Sequence, residues 1–286
     1  MKINIVDCFC LSLDKLGNRA AVITNFYDHD IDKQSIAESL GLPVTVFVSD
    51  IDSDIPLIEY FYPKMQMPLC LHGTIAAGEV VLNIRDSDNC NFITAQGCQL
   101  NVSKNGEMIS VKVGKVAVPE IDIDKSDICR MLNLESLSIF SESSDIVVAS
   151  VGSPKLLIQI KSKEYLTTLS PNFSLIKQWS LDKGVNGLYV YAPASIDDNC
   201  DFIARGFNPK TGHNEDAATG VASAALSAYL KRSIIVEQGE NIDCHCRIVN
   251  TYIDDDNIFV GGAVREAPND EYTYVLPRAS YASFNF

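Results

Sequence analysis

Positive charge is in short supply in this chain. Its 23 Lys and Arg face 37 Asp and Glu over 286 residues, for a formal net charge of -14 at pH 7. A field of that sign repels phosphate backbones and anionic lipid headgroups, so nucleic acid and membrane surfaces are poor partners. An anionic small molecule can bind only where backbone dipoles or a few placed side chains overcome the global repulsion. No segment approaches 18 uninterrupted apolar residues, and Met1 to Leu13 has no basic stretch leading into a long apolar run. Neither a membrane-spanning helix nor a secretion signal is therefore expected. Gly-x-Gly-x-x-Gly, Walker and kinase patterns are missing too, and no cofactor is expected. The nine cysteines are odd in number and scattered from Cys8 to Cys246, which excludes a small secreted disulfide framework and points to a reducing, cytoplasmic setting. No C-x-x-C spacing accompanies Cys8-Phe9-Cys10 or Cys244-His245-Cys246. Residues two apart on a strand merely share a face, so no metal is expected. The acidic runs Asp50 to Asp54 and Asp254 to Asp256 lack the glycine and terminal glutamate of a calcium loop and read as solvated turns.

What remains is an ordinary globular composition, with 47% hydrophobic and 21% charged residues, long enough for two domains with substantial cores. Ile3 to Phe9 and Ala20 to Thr24 read as an opening hairpin around the turn at Gly17-Asn18. Asp32 to Leu40 reads as a short amphipathic helix stopped by Gly41. Val44 to Val48 and Ile58 to Tyr62 read as strands, and Pro63 to Pro68 as a loop, since two prolines interrupt any ladder. Thr74 to Asn83 is apolar nearly all round, which suits a helix buried in a domain centre. Short strands follow from Phe92 to Val118, and the acidic stretch Pro119 to Ser126 marks a crossover. Strands recur at Ile146 to Val151, Lys155 to Ile160 and Gly187 to Tyr191, with helical material from Leu166 to Trp179 interrupted by Pro171. A second buried helix spans about Ala217 to Lys231, after a polar loop from Asn208 to Asp216. Strands, a polar loop and a small-residue central helix thus occur twice.

Four segments carry a family likeness. They are Leu16-Gly17-Asn18-Arg19-Ala20-Ala21-Val22; Tyr60-Phe61-Tyr62-Pro63 with Pro68-Leu69-Cys70-Leu71-His72-Gly73-Thr74; Arg205-Gly206-Phe207-Asn208-Pro209 with Gly212 and Glu215-Asp216-Ala217-Ala218-Thr219-Gly220-Val221-Ala222; and Gln238-Gly239 with Val260-Gly261-Gly262. In this order and spacing the chain resembles the phenazine-biosynthesis PhzF-like isomerase family. The resemblance implies an α/β (α+β) fold shared with diaminopimelate epimerase and proline racemase. Such a fold has two similar domains, each a curved, mostly antiparallel sheet wrapped around a central helix. The lobes would be 1–118, joined by a C-terminal return over about 272–286, and 119–271. A homodimer is common among such relatives.

The same resemblance places the site between the lobes. Helix starts near Gly73-Thr74 and Thr219-Gly220 would offer unpaired amides and positive dipole ends to a substrate carboxylate, with glycines allowing close approach. Asp216, His72 and Cys70 are the candidates for moving a proton, and Gly73, Thr74, Thr45, Asn18, Thr219 and Gly220 for holding a small anionic organic substrate. Read from its chemistry alone, Cys70 at a helix start is expected to have a lowered pKa, His72 titrates near neutrality, Asp216 suits a helix cap, and Glu215 faces solvent. Departures from the pattern matter. The family's proton-moving glutamate is replaced by Val44 in Pro43-Val44-Thr45-Val46-Phe47, Gln66 stands at a commonly acidic position, Leu71 replaces a glycine and Arg19 a proline. One thiol, with Ala217 near the second racemase cysteine position, cannot invert a carbon alone. Three readings follow: a cofactor-independent isomerase acting beside a carboxylate, a small-molecule binding protein or pseudoenzyme that keeps the cleft, and a single-thiol redox or covalent role for Cys70.

Overall fold

A computed structural model describes residues 1–12, 15–26, 31–140, 146–196 and 198–267. The opening hairpin forms from β1 (Lys2–Cys8) and β2 (Asn18–Thr24), antiparallel with Ile5 opposite Ala21. Helix α1 (Lys33–Leu40) starts where the Asp32 carboxylate accepts from the Ser35 amide at 3.1 Å and stops at Gly41, whose φ of 61° is cheap for glycine. β3 (Val44–Ser49) and β4 (Leu57–Tyr62) follow. The segment from Pro63 to Pro68 is not all loop: β5 (Met65–Met67) fits between the two prolines and pairs with β4. Helix α2 (Leu71–Arg85) starts three residues earlier than the apolar run indicates, with Cys70 as its cap. It is enclosed by β6 (Asn89–Thr94), β7 (Gln99–Asn105) and β8 (Met108–Val113) together with β1 to β3.

In the second half, α3 (Lys125–Leu132) begins inside the stretch read as crossover, capped by Asp124. β9 (Ile146–Ala149) and β10 (Lys155–Gln159) follow. Pro171 separates two helices, α4 (Lys163–Thr168) and α5 (Phe173–Lys183), because it cannot donate within a helix. β11 (Leu188–Pro193) and β12 (Phe202–Asn208) lead into the polar loop, which ends in a short strand, β13 (His213–Asp216), paired with β12. Helix α6 (Gly220–Tyr229) starts at Gly220 rather than Ala217. β14 (Ile234–Gln238), β15 (Cys246–Asp254) and β16 (Asn257–Glu266) complete the described strands.

All sixteen described strands belong to one mixed sheet, strands dominate, and the sheet wraps two central helices. β16 joins the halves: it pairs with β15 on one side, with β8 on the other, and at its end with β1. The tail over 272–286, expected to return to the first lobe, lies outside the described residues. One apolar core runs continuously around α2 and α6, and a second fills the space between α3 to α5 and β9 to β12. Because both central helices are wrapped by sheet, their residues are nearly all buried, as apolar helices without a polar face require. Their first turns are the places where backbone donors have no helical partner.

Candidate active site

The start of α2 forms one wall. Cys70 caps the helix without a side-chain cap hydrogen bond. Its Sγ lies 3.2 Å from His72 Nδ1, and Tyr62 Oη donates to it at 3.7 Å. Burial pushes the thiol up to about 12, against the lowering contributions of the Gly73 amide and the Tyr62 hydroxyl. The expected thiolate is thus overturned: at a fully enclosed site desolvation of the charge outweighs the helix dipole. The neutral thiol and His72 Nδ1 share one hydrogen bond, whose donor is set by the tautomer of the imidazole.

The wall from the other half is built around Asp216, the last residue of β13. Its Oδ1 accepts from Asn18 Nδ2 at 3.2 Å, and its Oδ2 from Thr219 Oγ1 at 3.1 Å. The carboxylate is therefore not the helix cap; Thr219 occupies that position, and Asn18 reaches across from β2. Gln238 fixes the strand end by donating to the Asp216 carbonyl at 2.7 Å and accepting from the Thr219 amide at 3.1 Å. Next to it, Glu215 is not at the surface. Both its oxygens take the Arg205 guanidinium, at 2.8 and 2.7 Å, and that guanidinium also donates to the carbonyls of Leu166 and Leu169. A paired carboxylate can be buried where an isolated one cannot.

The two helix starts meet. A Cβ built on Gly220 would lie 3.8 Å from Leu71 Cβ and 3.3 Å from Phe9. Beside this junction opens a cavity of about 490 Å³ whose lining includes Cys70, His72, Asp216, Thr219, Gly220 and Lys155. A second hollow, of about 260 Å³, shares His72 and Asp216 and adds Asn18 and Pro43. His72 from one half and Asp216 from the other thus face common space.

Other expected residues lie elsewhere. Thr45 is fully buried on β3. Alternation puts it on the face of Phe47, whose core lies under α1, and away from Val44, Val46 and Val48, which pack with α2. Thr74 is also enclosed, bonded to the Cys70 carbonyl and the Tyr60 hydroxyl. Gly73 serves packing rather than ligand approach, since a Cβ there would come within 2.9 Å of Val46 and 3.1 Å of Tyr60. Gly220 lines the cavity, but it too is hemmed in by Phe9 and Leu71. Val44 is completely buried in the same apolar core.

Lys155, Lys210, Tyr62 and Gln238 are not among the site residues expected from the sequence. Lys155 opens a strand whose next three residues are apolar and is 3% exposed, yet it lines the larger cavity. Its Nζ donates to the Asn186 carbonyl. Burial lowers its pKa to about 8, opposed by the Asp216 carboxylate and assisted by Lys210. The one available signal was a lysine inside the run Pro154-Lys155-Leu156-Leu157-Ile158, where strand pairing would bury it. Among the described residues no group of three or more His, Cys, Asp or Glu is arranged to hold a metal ion, although Cys10 does pair with Cys246 across an antiparallel bridge. Nor is any helix among them long and apolar enough to cross a membrane.

Comparison with known proteins is consistent along the chain. The sequence profile of the family described as phenazine biosynthesis-like protein matches residues 6–248. A protein of Clostridium acetobutylicum named as an uncharacterized isomerase is 33% identical over 224 residues, 75% of this chain and 74% of its own length. Among solved structures, a phenazine biosynthesis protein of the PhzF family from Bacillus anthracis superimposes with a TM-score of 0.79 at 23% identity, covering 94% of this chain and 98% of that one. A predicted epimerase from Pseudomonas aeruginosa gives a TM-score of 0.74 at 19% identity, covering 93% and 96%. These two structural likenesses concern the fold.

Proposed function

The chain belongs to the phenazine biosynthesis-like protein family, and from that premise we propose that it is a cofactor-independent isomerase moving a proton at a carbon of a small carboxylate-bearing substrate. The observation that carries this reading is the joint exposure of His72 and Asp216, one from each half, to the same cavity beside two abutting helix starts. The curated relatives named as isomerases support the reaction class. One of the pair takes the proton, the electron pair passes into the neighbouring carboxylate or conjugated system, and the other returns a proton at a second position or face. Amides of the first turns of α2 and α6, whose caps Cys70 and Thr219 make no side-chain cap bond, stabilise the oxyanion that develops. Cys70, protonated, orients His72 and does not itself carry the proton. Asn18 and Thr219 hold the Asp216 carboxylate in place. The two lobes meet near residue 118, the setting is cytoplasmic, and the assembly is a homodimer, which sedimentation velocity tests.

The test is exchange. Purified protein in deuterium oxide should place deuterium on substrate carbon across a panel of small cyclic acids and amino acids, and Asp216→Asn and His72→Gln should stop it while leaving the fold intact. A panel without any exchange removes the isomerase reading.

One observation favours a second reading. Val44, completely buried in apolar surroundings, stands at the position of the family's glutamate, so that carboxylate is missing. A binding protein that keeps the cleft would show ligand affinity and no exchange, and exchange gained only in Val44→Glu would mark a decayed enzyme.

A further inference from the structure

The net charge of -14 makes any fixed positive charge near the cavity conspicuous. Two lysines converge there. Lys155, at the start of β10, and Lys210, in the turn after β12, both line the cavity of about 490 Å³. Asn186 tethers both: its backbone carbonyl accepts from Lys155 Nζ, and its Oδ1 accepts from Lys210 Nζ at 3.1 Å. Asn186 is in turn fixed by donating to Ser153 Oγ at 2.8 Å. Lys155 is 3% exposed, and among the described residues its ammonium has no carboxylate in ion-pair contact. The carboxylate that shares its cavity, Asp216, is engaged instead by Asn18 and Thr219. A buried ammonium has three donors, and one carbonyl satisfies one of them. Leaving a buried charge without a counter-ion is costly unless a guest supplies it. The apolar alternative was open at this position, because the following residues Leu156, Leu157 and Ile158 are all buried hydrophobics.

We propose that Lys155 and Lys210 form a cationic pole that binds a carboxylate of the substrate, so that the site takes a small acid with two anionic groups, one at this pole and one at the meeting starts of α2 and α6. The inference rests on the cavity assigned under the proposed function, but it requires only binding, not turnover. The groups around Lys155 are Asp216 and Lys210 from its own half and Cys70, His72 and Tyr62 from the other. Burial raises Cys70 and Tyr62, so neither of these thiol and phenol groups becomes an anion in the range where Lys155, lowered to about 8, loses its charge. Binding of a dianion should therefore weaken as pH rises through about 8, and this step should vanish when Lys155 is replaced.

Isothermal titration calorimetry of the full chain with maleate, a small unsaturated dianion, and acrylate, its monoanionic counterpart, tests the pole. Maleate should bind at least about tenfold more tightly than acrylate at pH 7, the effect of one charge-assisted contact. Lys155→Met should bring the two within about threefold of each other, and Lys210→Met should reduce the ratio by less, because Lys210 is the more exposed of the two. Lys155→Met removes a desolvated charge and keeps the shape, so it should fold with a Tm no lower than that of the parent. Equal binding of the two acids, no binding of either at tens of millimolar, or an undiminished ratio in the folded Lys155→Met, Lys210→Met double variant would overturn the proposal. Absence of carbon-hydrogen exchange together with lysine-dependent maleate binding would count against the isomerase reading alone.

Discussion

At the start of α2 the cavity meets a thiol and an imidazole, Cys70 and His72, bonded to each other, with a tyrosine hydroxyl donating to the thiol. At the start of α6 it meets a carboxylate, Asp216, held by neutral donors, with two lysines farther along the same wall. The backbone frame is repeated and the chemistry is not. The supports differ in the same way. Asp7 of β1, fully buried, is clasped by two arginines, Arg19 at 2.8 Å and Arg265 at 3.0 Å, whereas Glu215 of β13 has one arginine partner among the described residues, Arg205. Repetition of a fold thus supplies two helix tips and the space between them, and the function is set by unlike side chains delivered to equivalent places. Two unlike groups facing one carbon can divide the work of acid and base, which two identical groups can do only by taking different protonation states.

The difference is sharpest in the reaction. Asp216→Asn should lower deuterium exchange by about 10² to 10⁴, the range for removing a positioned acid or base, with helix content unchanged by circular dichroism. If it left exchange intact and His72→Gln abolished it, the second-half wall would be a binding surface and the asymmetry would be of another kind. Next comes the support. Arg205→Leu strands Glu215 in the interior and should cost about 3–5 kcal/mol in urea unfolding, more than Arg19→Leu, after which Arg265 still holds Asp7. Equal losses would mean that Glu215 and Asp7 are held alike.

Smaller effects test the helix starts. Gly73→Val places atoms where Val46 and Tyr60 already lie and should destabilise by about 1–3 kcal/mol, read as a lower urea midpoint. A variant that folds normally and loses only ligand affinity would return Gly73 to the role of a ligand contact. Least affected should be the rate in Cys70→Ala, by less than about tenfold, since in the proposed reaction the thiol orients the imidazole and does not transfer the proton. Consistent with a thiol pushed up to about 12, Cys70 should resist iodoacetamide at pH 8 while the exposed Cys98 is alkylated, and its reactivity should climb only as pH approaches 12. Mass spectrometry of the labelled chain reads both.

Much of the frame was legible before any coordinates. The hairpin of β1 and β2, the helix capped by Asp32 and Gly41, and the two small-residue helices follow from turn chemistry and periodicity, which act within a few residues. The motifs around Cys70-Leu71-His72 and Asp216 carry the family likeness and five of the residues that line the cavity, Cys70, His72, Asp216, Thr219 and Gly220. Other features were misread for reasons that lie outside local sequence. Glu215 looked exposed because its partner, Arg205, is presented by a neighbouring strand. Cys70 looked activated because the dipole is local, while the desolvation that defeats it comes from walls contributed by distant segments. Thr45 was placed in the site one residue away from where alternation turns its side chain, toward the core of Phe47.

By itself the sequence determined the family, the two-helix plan and the positions of His72 and Asp216, because hydrophobic period, caps and ordered motifs are properties of neighbouring residues. Only the tertiary structure decided that Cys70 stays a thiol, that Glu215 is largely enclosed and paired, that Gly73 is a packing glycine, and that Lys155 lies buried beside the cavity without a carboxylate in ion-pair contact among the described residues. Charge state and solvent access depend on what the rest of the chain brings within a few ångströms, and in a closed sheet those neighbours are remote in sequence.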